Sequence, residues 1–229
     1  MRVRLTLLTL AVCSLPAAAG IISTFNSGSE GWTVAGDGPD TSVTYISSGC
    51  HPGGCIQRAD LTPGYMHFSA PATFLGDLSA YRGGVLSYDL LQTTPSADTS
   101  WFYRLVIQGN GLYLLSTVEL PPNTTSWIHI STALLPANFI VIPTLEDYIG
   151  AAATQAQLDA VMAGVTGVFI TGDLISGDRT TGSGDVAFLD NVALDVPEPA
   201  TTVLTAAGLL LLFWRAARRS AGMGGRSGS

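Results

Sequence analysis

Seven apolar runs of five to nine residues, separated by turn-forming residues, limit what this chain can fold into more than anything else in it. They are Ser42–Ile46, Gly84–Leu90, Trp101–Gln108, Leu112–Leu120, Trp127–Ser131, Val165–Thr171 and Val186–Leu194. Runs of this length make full strands but only two turns or so of helix. Several alternate in polarity: Val85, Ser87 and Asp89 fall on one side, Leu86, Tyr88 and Leu90 on the other. Leu105-Val106-Ile107 is apolar on both sides, as an inner strand of a sandwich would be. Gly109-Asn110-Gly111 reads as a hairpin turn, since Asn and Gly accept positive φ. Short strands with Gly-rich turns between them predict an all-β fold, an antiparallel β-sandwich. One helix interrupts it. Thr154 and Gln157 make a capping box, Leu158, Val161 and Met162 an apolar stripe, and Gly164 an end. Such a stripe fits a lid on the sandwich.

Charge narrows the function. The chain of 229 residues has a formal net charge of −7, and its cationic side chains are all arginine. Arg2, Arg4, Arg215, Arg218, Arg219 and Arg226 lie in the terminal segments. Residues 20–195 keep four arginines against sixteen acids, a net charge of −12. Nucleic acid is excluded as a partner, because binding it requires a cationic face. The acidity suits a soluble secreted domain and leaves carboxylates free to hold Ca²⁺.

Both ends read as export signals. Residues 1–19 combine Arg2 and Arg4, an apolar run from Leu5 to Leu15, Pro16 and the small residues Ala17-Ala18-Ala19. This is the layout of a secretory signal peptide, with cleavage expected just before Gly20. At the other end Val196-Pro197-Glu198-Pro199 is a stiff extended stretch. An uncharged run over residues 200–214 follows, and then Arg215, Arg218 and Arg219. At 1.5 Å per residue the run reaches only about 22 Å, short of the ~30 Å hydrocarbon core. The flanking arginines favour a transmembrane helix retained on the cytoplasmic side. Residues 196–219 resemble the PEP-CTERM sorting signal of Gram-negative bacteria. The resemblance implies recognition by an exosortase-type membrane protease, with cleavage near Pro197 to Pro199. It also implies inner-membrane anchoring during sorting, then delivery to the cell surface or exopolysaccharide. Residues 220–229 form a flexible tail longer than such signals usually carry.

Residues 20–195 suffice for one domain. Within it the ordered pieces resemble the laminin type IV (laminin B) domain: Phe25-Asn26, Glu30-Gly31-Trp32-Thr33, Asp77 to Tyr81, Gly83 to Leu90, Val106 to Leu112, Trp127, Thr154 to Val161 and Phe188 to Val192. The resemblance implies a galactose-binding-like jelly-roll sandwich without catalysis, used in extracellular or matrix proteins. In sandwiches of this kind a structural calcium often links the first strand region to an Asp of the last strand. Asp190 would be that acid here, with Glu30 or nearby carbonyls as partners.

Other chemistry is sparse. Cys50 and Cys55 flank a turn, and an oxidising compartment favours a local disulfide between them. The alternative is a metal site of Cys50, His51 and Cys55, which supplies only three ligands. His51, His67 and His129 show no metal-binding spacing, and no Gly-x-Ser-x-Gly elbow occurs. No catalytic residue is assigned. Asp37, Asp40, Asp173, Asp178 and Asp185 sit beside turn residues and read as solvated loops. Tyr45, Tyr65, Trp101, Tyr103 and Tyr113 are candidate sugar-stacking platforms. The expected function is a non-catalytic surface or matrix protein, a binding or structural module with a glycan or exopolysaccharide ligand. A polysaccharide-active enzyme is the alternative.

Overall fold

The computed structural model describes residues 19–36, 38–60, 66–92, 105–118, 126–173 and 186–197. The secretory signal through residue 18, Glu198, Pro199, the 200–214 run, the three flanking arginines and the tail lie outside the described residues. So do Asp37, Tyr65, Trp101, Tyr103, Asp178 and Asp185. Among the described residues no helix is long and apolar enough to cross a membrane.

Thirteen strands are described: β1 (Ile21–Ser23), β2 (Thr33–Ala35), β3 (Thr44–Ile46), β4 (Cys55–Ala59), β5 (His67–Ser69), β6 (Val85–Gln92), β7 (Leu105–Gly109), β8 (Leu112–Ser116), β9 (Ile128–Ala133), β10 (Phe139–Ile142), β11 (Ala151–Ala152), β12 (Val165–Thr171) and β13 (Val186–Asp195). One sheet runs β3-β4-β13-β6-β9, with β1 also on β13; the other runs β11-β10-β8-β7-β12-β5-β2. Each strand pair is antiparallel. The fold is an all-β, jelly-roll-like sandwich of two antiparallel sheets with one helix, as expected. β13 is long enough to serve two neighbours along one edge: its first half pairs β4 and its second half β1.

The core follows from the alternation. Leu86, Tyr88 and Leu90 of β6 are buried in it, as are Leu189, Val192 and Leu194 of β13 and Leu105 and Ile107 of β7. Val106, on the other side of β7, joins a second cluster with Leu115 and Ile142, so β7 is an inner strand apolar on both faces. Trp32 is wedged edge-on between Phe25, at 6.1 Å, and Phe74, at 5.6 Å, and its indole N–H donates to Ser23 Oγ at 3.0 Å.

The local signals translate directly. Asn110 and Gly111 carry φ of 49° and 76°, both positive, and close a two-residue hairpin. α1 (Gln155–Met162) starts at Thr154, whose side chain accepts from the Gln157 N–H while Gln157 reaches back, the expected capping box. Its C-cap is Ala163, one residue before the glycine. Leu158, Val161 and Met162 are buried against β7 and β8, so the helix does lie as a lid on the sandwich. Gly109 permits this approach: a Cβ there would stand 2.5 Å from the Val161 carbonyl oxygen. The apolar-run reading missed β1, β2, β4, β5, β10 and β11, which are two to five residues long. Their propensity signal is weak, and their pairing partners are set by the sheet.

Candidate ligand-binding face

The outer face of the six-stranded sheet, turned away from the core, gathers the polar side chains. Register alone puts three of them in a row: Asp190 of β13 lies opposite Asp89 of β6, and Asp89 opposite His129 of β9. One row further along, Phe188 lies opposite Leu91, and Trp127 just precedes β9. In the other direction come Ser87 and Ser131, opposite each other, and then Val85 with Ala133 and Asp195.

A β-bulge builds the centre of this face. The β13–β6 register shifts between Asp190 and Ala193, with Asn191 at φ 48°. The extra residue breaks the alternation of β13, so the side chains of both Asp190 and Asn191 join the network on this face. The Asn191 amide donates to Asp89 Oδ2 at 2.8 Å and to the His51 carbonyl.

The loop between Cys50 and Cys55 closes over these groups. The two cysteines are bonded to each other, so neither thiol is left for the metal site considered with His51. The His51 N–H donates to Asp190 Oδ2 at 3.0 Å, and its ring Nδ1 lies 3.2 Å from Asp89 Oδ2. From β9, His129 Nδ1 lies 2.7 Å from Asp89 Oδ1. The His51 ring stacks on Trp127, with centroids 6.2 Å apart and planes 19° from parallel, and Trp127 meets Phe188 edge-on.

The two carboxylates differ sharply. Burial pushes Asp89 upward, but hydrogen bonds from Asn191, His129 and His51 outweigh it and leave its carboxyl below the usual range. Asp190 is fully buried, and burial drives it to about 6 against its two backbone N–H donors, with the Asp89 charge adding to the rise. A pair of acids set apart in this way is the pattern of acid–base catalysis. Here Asp190 has no access to a substrate: it is 0 % exposed, and its oxygens accept from His51 N and Asn191 N. It holds the loop to the sheet.

Both Asp190 oxygens carry N–H donors, and no group of three acids, histidines or cysteines placed to hold a metal occurs among the described residues. Glu30 is exposed in the turn between β1 and β2, with φ 51°. Of the aromatic candidates, Tyr45 donates to the Asn26 carbonyl and packs on the core. Tyr113 accepts from Gln108 and belongs to the second apolar cluster on the opposite sheet. Sequence reasoning did not select Trp127 for this role. It found no metal-binding spacing in His51 and His129 and drew no link between them, whereas both meet Asp89. His67 stands apart on β5, near Thr171, and burial lowers it to about 4, so it is neutral.

Beside His129 an open cleft of about 910 Å³ runs along the face. Gly83, Gly84, Ser131, Asp195 and Pro197 are among its walls. Val196 and Pro197, the first half of the Val-Pro-Glu-Pro motif, thus lie at the end of the cleft.

The family model for laminin B (domain IV) matches residues 67–208, more than half of the chain. The chain belongs to the laminin B (domain IV) family. Among solved structures, the L4b domain of human laminin alpha-2 superposes with a TM-score of 0.58 at 11% identity, covering 80% of this chain and 99% of that one. At that identity the likeness is one of fold. The family 11 carbohydrate-binding module of a cellulosomal cellulase of Clostridium thermocellum gives 0.46 at 18% identity, covering 79% and 96%. No curated protein sequence matches the chain. In this laminin B domain the bulge, the disulfide loop and the cleft share one sheet face.

Proposed function

We propose that the protein is an exported, non-catalytic module of the bacterial surface or extracellular matrix, and that the outer face of its six-stranded sheet binds a glycan ligand. The observation that carries this reading is the face itself. A preorganised network there presents two exposed imidazoles and a half-buried tryptophan beside an open cleft, while the two acids beneath them, Asp89 and Asp190, are buried. Membership of the laminin B family and a disulfide agree with an extracellular setting. The enzyme alternative gains from the split Asp89–Asp190 pair but loses on access, so we favour binding.

Delivery belongs to the same proposal. Residues 1–19 direct export, residues 20–195 form the domain, and residues 196–219 are a PEP-CTERM-like signal whose 200–214 helix anchors the chain during sorting. An exosortase-type protease then releases it to the surface or exopolysaccharide. Intact mass of the protein from the cell surface and medium tests this. A mature chain beginning at Gly20 and ending near Pro197 to Pro199 is expected. A chain of full length in the cytoplasm would overturn it.

A further inference from the structure

The Asp89 network also fixes what kind of glycan the face can take, an inference that rests on the binding reading above. Asp89 is held ionised, and an ionised carboxylate only accepts hydrogen bonds. It receives three, from Asn191, His129 Nδ1 and His51 Nδ1. Each imidazole therefore carries a proton on Nδ1, and Nε2 is the acceptor of such a ring in its neutral form. Each of these side chains is 62% exposed, so the acceptors are open to a ligand.

The groups around them repel anions. Asp195 lines the cleft, Asp89 and Asp190 lie under the imidazoles, and residues 20–195 carry a net charge of −12. No described arginine stands on this face: Arg58 pairs with Asp40 near β3, and Arg82 pairs with Asp159 of the helix. A uronate or sulfate group would meet these carboxylates with no described arginine to offset them. Hydroxyl groups, in contrast, can donate to the Nε2 atoms and exchange hydrogen bonds with Ser131. The stacked His51–Trp127 pair adds an aromatic surface suited to the C–H face of a sugar ring. From the Val85 row to the Trp127 row is six residues along the strands, about 20 Å at ~3.4 Å each, room for a chain rather than a single sugar.

We infer that this face binds a neutral, hydroxyl-rich polysaccharide, with His129 and His51 accepting from sugar hydroxyls through Nε2 and Trp127 serving as the stacking wall. Affinity electrophoresis of the full chain tests it, in gels holding a neutral glucan, a neutral galactomannan, or polygalacturonate as the acidic counterpart. Retardation is expected in at least one neutral gel and not in the acidic one. His129→Ala and Trp127→Ala should each weaken that retardation about tenfold or more. His129→Gln, which restores an acceptor, should recover part of it, and Tyr148→Ala, in the exposed β10–β11 connection of the other sheet, should change nothing. Melting curves identify any variant that fails to fold. Stronger retardation by polygalacturonate, or neutral binding unaffected by both alanine variants, would overturn the inference while leaving a binding function intact. Retardation in none of the gels overturns the inference, and the binding reading falls with it if the chain is also not retained on its own matrix.

Discussion

Replacing Asp190 with asparagine removes a charge that the fold holds at a cost. In the unfolded chain this carboxyl titrates near 3.8; in the folded one burial raises it to about 6. The folded state therefore binds the proton more tightly, and ionisation of Asp190 weakens the fold. The penalty is absent below about pH 4, grows between pH 4 and 6, and is constant above. Its full size is on the order of 3 kcal/mol. Asp40, Asp77 and Asp159, all lowered, act in the opposite sense, losing their stabilisation as acid protonates them. They are common to both proteins and cancel in a comparison. Asparagine retains one acceptor where the carboxylate had two, so His51 N–H or Asn191 N–H loses its partner, at about 1–3 kcal/mol and with little dependence on pH. The two effects nearly offset at pH 7, and only the cost remains at pH 4. Urea unfolding of both proteins across pH 4–7 should show the variant gaining roughly 3 kcal/mol relative to the parent as pH rises. In a domain of this size that is a relative shift of roughly 6–12 °C in Tm. A difference constant to within about 0.5 kcal/mol over that range would refute the account of Asp190.

Three further outcomes follow from the packing. Gly109→Ala places a methyl group 2.5 Å from the Val161 carbonyl oxygen and 2.7 Å from that of Gly164, so the helix must shift, at about 1–3 kcal/mol in urea melts. Replacing Cys50 and Cys55 together with serine removes a small closed loop and should cost about 2 kcal/mol. The same change frees His51 from the sheet, so amide exchange at His51 should accelerate with it. Trp32→Phe keeps an aromatic ring between Phe25 and Phe74 but loses volume and the bond to Ser23; a loss of about 2 kcal/mol is expected, measured by the same melts.

Much of the architecture could be read from local pattern. The Leu86/Tyr88/Leu90 alternation, the two-faced Leu105-Val106-Ile107 run, the Asn110-Gly111 turn and the Thr154/Gln157 capping box each appear where the residues place them. These signals are legible because each acts within a few residues. The binding face was not legible for the opposite reason. His51, Asp89, His129 and Asp190 are separated by about forty residues or more, and they meet only because β13, β6 and β9 lie side by side. The bulge at Asn191 has a faint trace in the sequence, an Asp-Asn pair where strict alternation calls for an apolar residue. Trp127 stood in a strand pattern, where nothing local distinguishes a core tryptophan from one on a face.

The central claim is binding without catalysis outside the cell. Incubating the full chain with the cell's own matrix polysaccharide, and measuring retained protein and newly formed reducing ends together, tests it most directly. The account predicts saturable retention with no new reducing ends above the blank. Release of reducing ends that disappears in Asp89→Asn, or no retention at all, would contradict it.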